Sequence, residues 1–144
     1  MPSSSLLHAI VYVSASVPPV TAASLEDLLL EARRLNRESG VTGALLHSDG
    51  SFMQYFEGTP DAVAATWERI RGSRRHTRIT ELMNEPVPRR EFPDWEMALA
   101  QPAASELLAL STARWVVQVA GSGGRGYGSV GMSLLRSFWY HRRW

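Results

Sequence analysis

The sequence contains no cysteine, so disulfide bonds, zinc–cysteine sites and cysteine nucleophiles are excluded. No apolar run approaches the roughly 20 residues that a membrane-spanning helix requires. The N-terminus lacks the basic, apolar and small-residue order of a signal peptide. Together these absences predict a cytoplasmic protein.

The chain has 144 residues, a length that predicts one domain. Its composition, 44% hydrophobic and 20% charged, is ordinary for a globular protein. Charge is unevenly spread. Residues 1–100 hold 10 arginines against 13 acidic residues, whereas residues 101–144 hold five arginines against Glu106 alone. A basic tail can bind nucleic acid, a membrane surface or an acidic partner. The more common explanation is a helix with a solvated basic face, so we expect neither nucleic acid nor a membrane as partner.

The first half of the chain alternates strand and helix patterns. Residues 6–14 are apolar on both faces, which predicts a strand in the middle of a sheet that is covered on both sides. Ser24, with Asp27 three residues later, resembles a capping box and predicts the start of a helix. Gly40 is a typical left-handed helix terminator and predicts its end.

An Asp-Gly pair then separates two strand-like runs, residues 41–48 and 51–58, and this pair is a strong hairpin signal. Thr59 followed by Pro60 has the pattern of an N-cap and a first helical residue, and Gly72 follows the apolar face of that helix. The hairpin is therefore followed by a second helix.

Strands are predicted at residues 78–87 and 95–100, which completes the order β-α-β-β-α-β-β. This order predicts an α+β, ferredoxin-like mixed sheet with both long helices on one face. The other face would be apolar and must be covered. Helices predicted at residues 104–118 and 132–144, joined by the glycine-rich connector 121–131, can cover it or form a dimer or partner surface.

Two polar residues fall on predicted core faces. Gln54 shares a strand face with Phe52 and Phe56, and a buried amide needs hydrogen-bond partners. An amide both donates and accepts, so it can switch between two networks. Tyr12 shares its face with Ser14, and its hydroxyl also needs a buried partner. Either residue could instead be bonded to nearby backbone in a purely structural role.

Other chemistry has little support in the sequence. The histidines show no metal-ligand spacing, and no histidine–carboxylate pair indicates acid–base catalysis. The glycine-rich stretch lacks the Gly-Lys-Ser/Thr ending of a phosphate loop. Arg74, Arg75 and His76 could bond the last carbonyls of the second helix or hold a phosphate. Asn36 could be a simple helix-end residue.

Taken together and in order, these residues closely resemble the BLUF domain, a sensor of blue light using flavin. The resemblance covers roughly residues 6–100. Each short motif is a weak signal alone, but the order and spacing of the motifs over this length are specific to the family. We therefore treat residues 1–100 as the flavin-binding domain and residues 101–144 as a C-terminal helical extension of the same compact unit. The matching residues are Tyr12, Ser14, Asn36, the run TGALL (42–46), Phe52, Gln54, Glu57, Gly58, Arg75, His76, Arg90, Phe92, Trp95 and Met97.

The resemblance implies a flavin between the two long helices. FAD is typical of the family, and FMN also fits. Leu28 and Ile70 would be apolar walls, and Asn36 would bond the polar edge of the ring. Arg75 and His76 would lie near the sugar-phosphate end. The implied cofactor-binding residues are Tyr12, Ser14, Leu28, Asn36, Phe52, Gln54, Ile70, Arg75 and His76.

The resemblance also implies a photochemical switch without enzyme activity. Tyr12 would give an electron to the excited flavin, a proton would move through Gln54, and Gln54 would remain rotated or tautomerised. Trp95 or Met97 would pass the change to the tail or a partner, by a shift in populations. The expected partners are an unidentified downstream protein and further copies of this chain.

Two alternatives use the same scaffold. Ser73 stands where the family often has aspartate, and with the unusual tail this keeps open a flavin-less regulatory module with a basic tail. A small enzyme such as an acylphosphatase is the other alternative. It would need a phosphate-binding loop after Tyr12, where the sequence SASVPPV offers neither arginine nor glycine.

Overall fold

The computed structural model describes residues 7–16, 21–48, 50–73, 76–93, 97–115 and 130–141. They form five strands and four helices in the order β-α-β-β-α-β-β-α-α, which confirms the predicted order over the first seven elements. The elements are β1 (Leu7–Ser16), α1 (Ala22–Ser39), β2 (Thr42–Ser48), β3 (Ser51–Gly58), α2 (Pro60–Arg71), β4 (His76–Val87), β5 (Ala98–Ala100), α3 (Ala104–Thr112) and α4 (Val130–His141).

The five strands form one mixed sheet in the order β4-β1-β3-β2-β5. All neighbouring strands are antiparallel except β2 and β5, which run parallel. β1 lies between β4 and β3, and its side chains enter the cores on both sheet faces, as its sequence predicts. The ferredoxin-like sheet is thus confirmed.

Each sheet face packs on its own pair of helices. One core lies under α1 and α2, and the other lies under α3 and α4, so the C-terminal helices cover the second face as predicted. The first core contains Ile10, Tyr12, Leu25, Leu29, Val41, Leu45, Phe52, Phe56, Val63, Trp67 and Met97. Within the described residues, none of the helices combines the length and hydropathy needed to span a bilayer.

The start of α1 differs from the prediction. Thr21, not Ser24, is the N-cap, and Ser24 is the third helical residue. The amide of Ser24 donates to the Thr21 hydroxyl at 3.1 Å, and the amide of Thr21 donates to the Ser24 hydroxyl at 2.9 Å. The prediction missed this reciprocal pair because both residues are good caps, and only the chain path into the helix selects one. At the other end, Gly40 adopts φ 80°, which confirms it as a left-handed cap.

The hairpin and α2 follow their sequence signals. β2 and β3 are joined through Gly50, which has φ 86° and needs the freedom of glycine. Thr59 caps α2 by accepting a hydrogen bond from the Ala62 amide at 3.3 Å, and Pro60 is its first residue. Gly72 ends the helix as expected.

The C-terminal helices are shifted from their predicted positions. α3 ends at Thr112 rather than at residue 118, because the chain becomes extended at Ala113 and Trp115 turns into the core. The Trp115 indole donates to the Leu110 carbonyl at 2.9 Å. α4 begins at Val130, two residues before the prediction, and includes Gly131 from the predicted connector. Residues 116–129 and 142–144 lie outside the described part of the chain.

The last two strands also differ at their ends. β4 begins at His76 rather than at residue 78, because β1 continues to Ser16 and pairs with it. β5 covers only Ala98–Ala100, whereas the prediction began at residue 95. Met97 precedes the strand, so its predicted place on a strand face is wrong, because the pairing with β2 begins only at Ala98. Trp95 lies outside the described residues, so its place stays a prediction.

Candidate functional site

A cavity of about 290 Å³ lies between α1 and α2, over the sheet face that carries Tyr12 and Gln54. Its walls are mainly apolar. Leu28 from α1 and Ile70 from α2 both line it, as the sequence predicts for residues on the inner helix faces. Further apolar lining comes from Ala32, Leu35, Leu45, Phe52 and Met97. The cavity is an apolar slot with a few polar side chains, which is typical of a site for a small organic ligand.

Tyr12 and Gln54 form the polar centre of this cavity. They are direct partners in the β1–β3 ladder, so their side chains lie next to each other on one face. The Tyr12 hydroxyl donates to Gln54 Oε1 at 2.5 Å, and both side chains are buried. Burial raises the pKa of the Tyr12 phenol well above its ordinary value, so it stays a protonated donor at physiological pH. Trp67 packs on Tyr12 with ring centroids 5.3 Å apart.

The other end of the Gln54 amide contacts Met97. Gln54 Nε2 donates to Met97 Sδ at 3.5 Å. The Met97 carbonyl in turn accepts a hydrogen bond from Arg33 Nε of α1 at 2.9 Å. One amide therefore connects Tyr12 on β1 with Met97, the residue before β5. A rotation of that amide would change both contacts.

Asn36 lines the same cavity from the last turn of α1. Its side chain is 1% exposed. Its backbone carbonyl accepts the amides of Gly40 and Val41, at 2.8 and 3.0 Å, and these bonds fix the end of the helix. Asn36 therefore both closes the end of α1 and lines the cavity, so its role is not limited to the helix end.

The remaining predicted cofactor residues have different locations. Ser14 is buried but borders a second cavity near the β2–β3 hairpin, and Phe52 borders both cavities. His76 is the first residue of β4, and its side chain is not described. Arg75 lies outside the described residues, as does Trp95. The structure thus brings together Tyr12, Leu28, Asn36, Phe52, Gln54, Ile70 and Met97.

Sequence reasoning missed two charged residues of the first cavity, Glu31 of α1 and Arg69 of α2. Burial lowers the pKa of the Arg69 guanidinium, and the charge of Glu31 opposes this shift. Both residues occupy helix positions close to predicted wall residues: Glu31 is three residues after Leu28, and Arg69 directly precedes Ile70. Helical spacing from Leu28 was therefore an available signal for Glu31, whereas adjacent helical residues do not share a face, so spacing gave no signal for Arg69.

Sequence reasoning also left Glu57 without a structural role. Its side chain is 0% exposed and lies on the sheet face opposite Gln54. The carboxylate accepts from the Phe92 amide at 2.6 Å, the Glu91 amide at 2.8 Å and the Tyr55 hydroxyl at 2.8 Å. Burial raises the pKa of Glu57, although these donors and the charge of Arg90 oppose the shift. Glu57 thus holds the loop that leads from β4 towards Met97.

The same loop contacts α4 through an ion pair. Arg136 Nε donates to Glu91 Oε2 at 2.8 Å, and both side chains are partly buried. Arg90 donates to the Thr42 hydroxyl at 2.9 Å. The motif residues Glu57, Arg90 and Phe92 therefore position the approach to the cavity and do not line it. Among the described residues, no group of three or more His, Cys, Asp or Glu side chains is placed to hold a metal ion.

Comparison with protein families gives one match, over residues 7–98, to the model of the BLUF family, described as "Sensors of blue-light using FAD". The chain is 35% identical over 104 residues to a photoactivated adenylate cyclase subunit beta from Euglena gracilis, which covers 72% of this chain and 12% of that protein. It is 31% identical to a blue light- and temperature-regulated antirepressor of Escherichia coli (strain K12), over 60% of this chain and 22% of that protein.

Among solved structures, the fold is similar to that of the dark state of BlrB, described as a BLUF protein. The TM-score is 0.65 at 30% identity, and the match covers 75% of this chain and 80% of that one. The two curated relatives are much longer: the chain spans about an eighth of the cyclase subunit and about a fifth of the antirepressor.

Proposed function

Because the chain belongs to the BLUF family of blue-light sensors, we propose that the cavity between α1 and α2 binds the flavin non-covalently and that Tyr12 and Gln54 are the photoactive pair. The observation that carries this proposal is the 2.5 Å hydrogen bond from the Tyr12 hydroxyl to Gln54 Oε1 at the cavity surface. No cysteine is available for a covalent flavin–thiol bond.

The cavity suits a flat aromatic ring with one polar edge. Leu28 and Ile70 supply apolar walls from the two helices. The amides of Asn36 and Gln54 can each donate and accept hydrogen bonds, which matches a ring edge with both carbonyl oxygens and an N–H group. Arg69 adds a charged donor to the same cavity.

A bound flavin would supply an excited state that takes up an electron and a proton. Tyr12 is the donor, because its hydroxyl is protonated and already directed at Gln54 Oε1. Gln54 moves the proton, and the electron and the proton then return to Tyr12, which leaves only the Gln54 amide rotated or tautomerised. Either change alters which end of the amide donates to the contents of the cavity, and this new network is the signalling state.

Met97 is the residue that transmits the change out of the cavity. It accepts a hydrogen bond from Gln54 in the structure, and β5 begins at the next residue. Its carbonyl is also bonded to Arg33 of α1. Trp95, two residues earlier, is the second residue that we assign to this step.

The family unit that the chain matches is a sensor and not an enzyme. The names of its relatives describe outputs of different kinds, an adenylate cyclase and an antirepressor. We propose that this chain acts as a homo-oligomer on a separate downstream protein. We further propose FAD as its cofactor, with FMN as the alternative, and His76 and Arg75 near the sugar-phosphate end.

The test is an absorption spectrum of the purified protein before and after a blue flash, followed through dark recovery. We expect a flavin spectrum with a small, reversible red shift. Gln54→Leu should bind flavin and lose the shift, whereas the same substitution at the exposed residue Gln101 should leave it unchanged. A colourless protein that also fails to bind added FAD and FMN would contradict the proposal and favour a flavin-less module.

A further inference from the structure

Met97 is attached to helix α1 as well as to Gln54. Its backbone carbonyl accepts a hydrogen bond from Arg33 Nε at 2.9 Å, and its Sδ accepts one from Gln54 Nε2 at 3.5 Å. The first donor is a guanidinium, so that bond is charge-assisted. The second joins a neutral amide to a thioether, which is a weak acceptor. The position of Met97 therefore depends more on Arg33 than on Gln54.

The strand that follows Met97 has a small ladder of its own. β5 lies at the edge of the sheet and pairs only with β2, through three residue pairs that begin at Ala98. A short edge strand with few pairs is easily displaced. Upstream, Glu57 holds the loop at Glu91 and Phe92. The bond from Arg33 therefore anchors the chain directly before β5.

Helix α1 is a firm support for this anchor. Leu25 and Leu29 pack it into the first core, and Gly40 caps its end. Arg33 is partly buried and lies three residues before Asn36, so the two side chains extend from the same side of the helix. Asn36 lines the first cavity. One helix thus carries both a side chain of the cavity wall and the anchor of Met97.

The bond from Arg33 favours one of the two orientations of the Gln54 amide. In the structure, the amide nitrogen of Gln54 donates to the Met97 sulfur. A rotated amide would present its oxygen to that sulfur, and a thioether has no proton to donate to it. The bond to the Met97 carbonyl does not involve Gln54 and so survives the rotation. It would keep the sulfur in place as the acceptor to which the amide nitrogen returns.

We propose that Arg33 is a positioning residue of the light switch: its bond to the Met97 carbonyl holds the Met97 sulfur at Gln54 and so speeds the return of the amide after illumination. This inference rests on the proposed flavin switch. It goes further by giving α1 a part in the lifetime of the signalling state.

The test uses the full flavin-bound chain and the variant Arg33→Leu, which removes the donor but keeps an apolar stem in the helix. A hydrogen bond to a charged group corresponds to about a factor of ten, so dark recovery after a blue flash should be slower by up to about tenfold. The methyl resonance of Met97, in chain labelled with ¹³C-methyl methionine, should also shift in the dark. Met97→Leu identifies that resonance by its loss.

Three further variants serve as controls. Arg34 is exposed and pairs with Glu38 at 3.6 Å, so Arg34→Leu is a matched loss of charge on the same helix and should keep the natural recovery rate and resonance. Arg33→Lys retains a charged donor and should restore much of both. Arg33→Ala is a second variant without a donor and should behave like Arg33→Leu. Melting temperatures check that each variant is folded.

The outcomes separate this inference from the proposed function. A Met97 resonance at its natural position in folded Arg33→Leu would overturn the inference, as would dark recovery that is as fast as in the natural chain or faster. Equal effects of Arg33→Leu and Arg34→Leu would overturn it too, because charge alone would then explain them. A natural chain without a reversible red shift would instead contradict the proposed function.

Discussion

At the scale of single residues, two buried tyrosines on opposite faces of the sheet donate hydrogen bonds to different partners. Tyr12 on β1 faces the cavity and donates to Gln54. Tyr55 on β3 faces the opposite core and donates to Glu57 at 2.8 Å. Both are buried, and both hydroxyls bond to a side-chain oxygen. Only the first bond lies at the cavity that we propose for the flavin.

This contrast gives a matched prediction. Tyr12→Phe should bind flavin but lose the normal light-induced shift, because the electron and proton donor is gone. It should also lower the free energy of unfolding by about 1–3 kcal/mol, since the buried Gln54 oxygen loses its donor. Tyr55→Phe removes a buried hydroxyl without touching the cavity and should keep the shift. Flash absorption spectra measure both, and a normal photocycle in Tyr12→Phe would remove Tyr12 from the mechanism.

Glu57 leads to a prediction on pH. The folded protein holds the Glu57 proton more tightly than the unfolded chain, because burial raises its pKa. This stabilisation is fully present below the ordinary carboxyl pKa and is lost as pH rises through the pKa of the folded state. Glutamine does not titrate. The stability advantage of the natural chain over Glu57→Gln should therefore be largest near about pH 4 and decline towards neutral pH.

Urea denaturation at a series of pH values measures this difference. A difference between the natural chain and Glu57→Gln that stays constant, or that grows with pH, would contradict a raised pKa at Glu57.

At the scale of secondary-structure elements, α4 is held by three contacts that its own sequence does not reveal. Gly131 lies against the Trp115 ring so closely that an added Cβ would lie 2.3 Å from ring carbons. The Gly131 amide donates to the Arg114 carbonyl at 2.7 Å. Arg136, one and a half turns later, forms the ion pair with Glu91. The helix is therefore fixed to the segment after α3 and to the loop that approaches Met97.

Gly131→Ala should destabilise the protein by about 1–3 kcal/mol, the usual cost of overpacking a core, although alanine is the better helix former. Gly72→Ala is the matched control, because an added Cβ there has its nearest neighbour at 3.5 Å. Thermal or urea unfolding measures both variants. Equal stability of Gly131→Ala and the natural chain would show that α4 can move away from Trp115.

At the scale of the whole molecule, the sheet depends on both helical layers. The second core combines strand residues with Leu107, Leu110, Trp115, Met132 and Leu135 from the C-terminal segment. Without that segment, side chains such as Val11, Leu46 and Met53 would be exposed together. Large exposed apolar patches promote association. We therefore propose that residues 1–100 and 101–144 act as one folding unit.

Deleting residues 101–144 should produce aggregation, or a protein that dissolves only as large oligomers. Deleting residues 142–144 alone should not cause aggregation. This control removes the terminal arginines but leaves the helices that cover the sheet face. Size-exclusion chromatography with light scattering distinguishes these results. A monomeric, cooperatively folding truncation would show that the sheet face needs no cover.

Much of the fold followed from local signals in the sequence. Strand alternation, the Asp-Gly hairpin, the Thr59–Pro60 start of α2 and the left-handed Gly40 depend on chemistry within a few residues, so they could be predicted. The resemblance placed Tyr12, Gln54, Asn36 and Met97 as candidate residues. The cap at Thr21 and the early end of α3 were missed, because competing local signals are resolved by the path of the chain.

The sequence by itself therefore determined the element order, the two-sided burial of the sheet and the identity of the Tyr12–Gln54 pair. Only the tertiary structure decided which side chains meet across long separations. Arg69 and Glu31 share a cavity because α1 and α2 pack side by side, and Glu57 meets the amides of Glu91 and Phe92 because a loop returns over β3. Such contacts depend on packing between distant segments, and local sequence patterns carry no record of them.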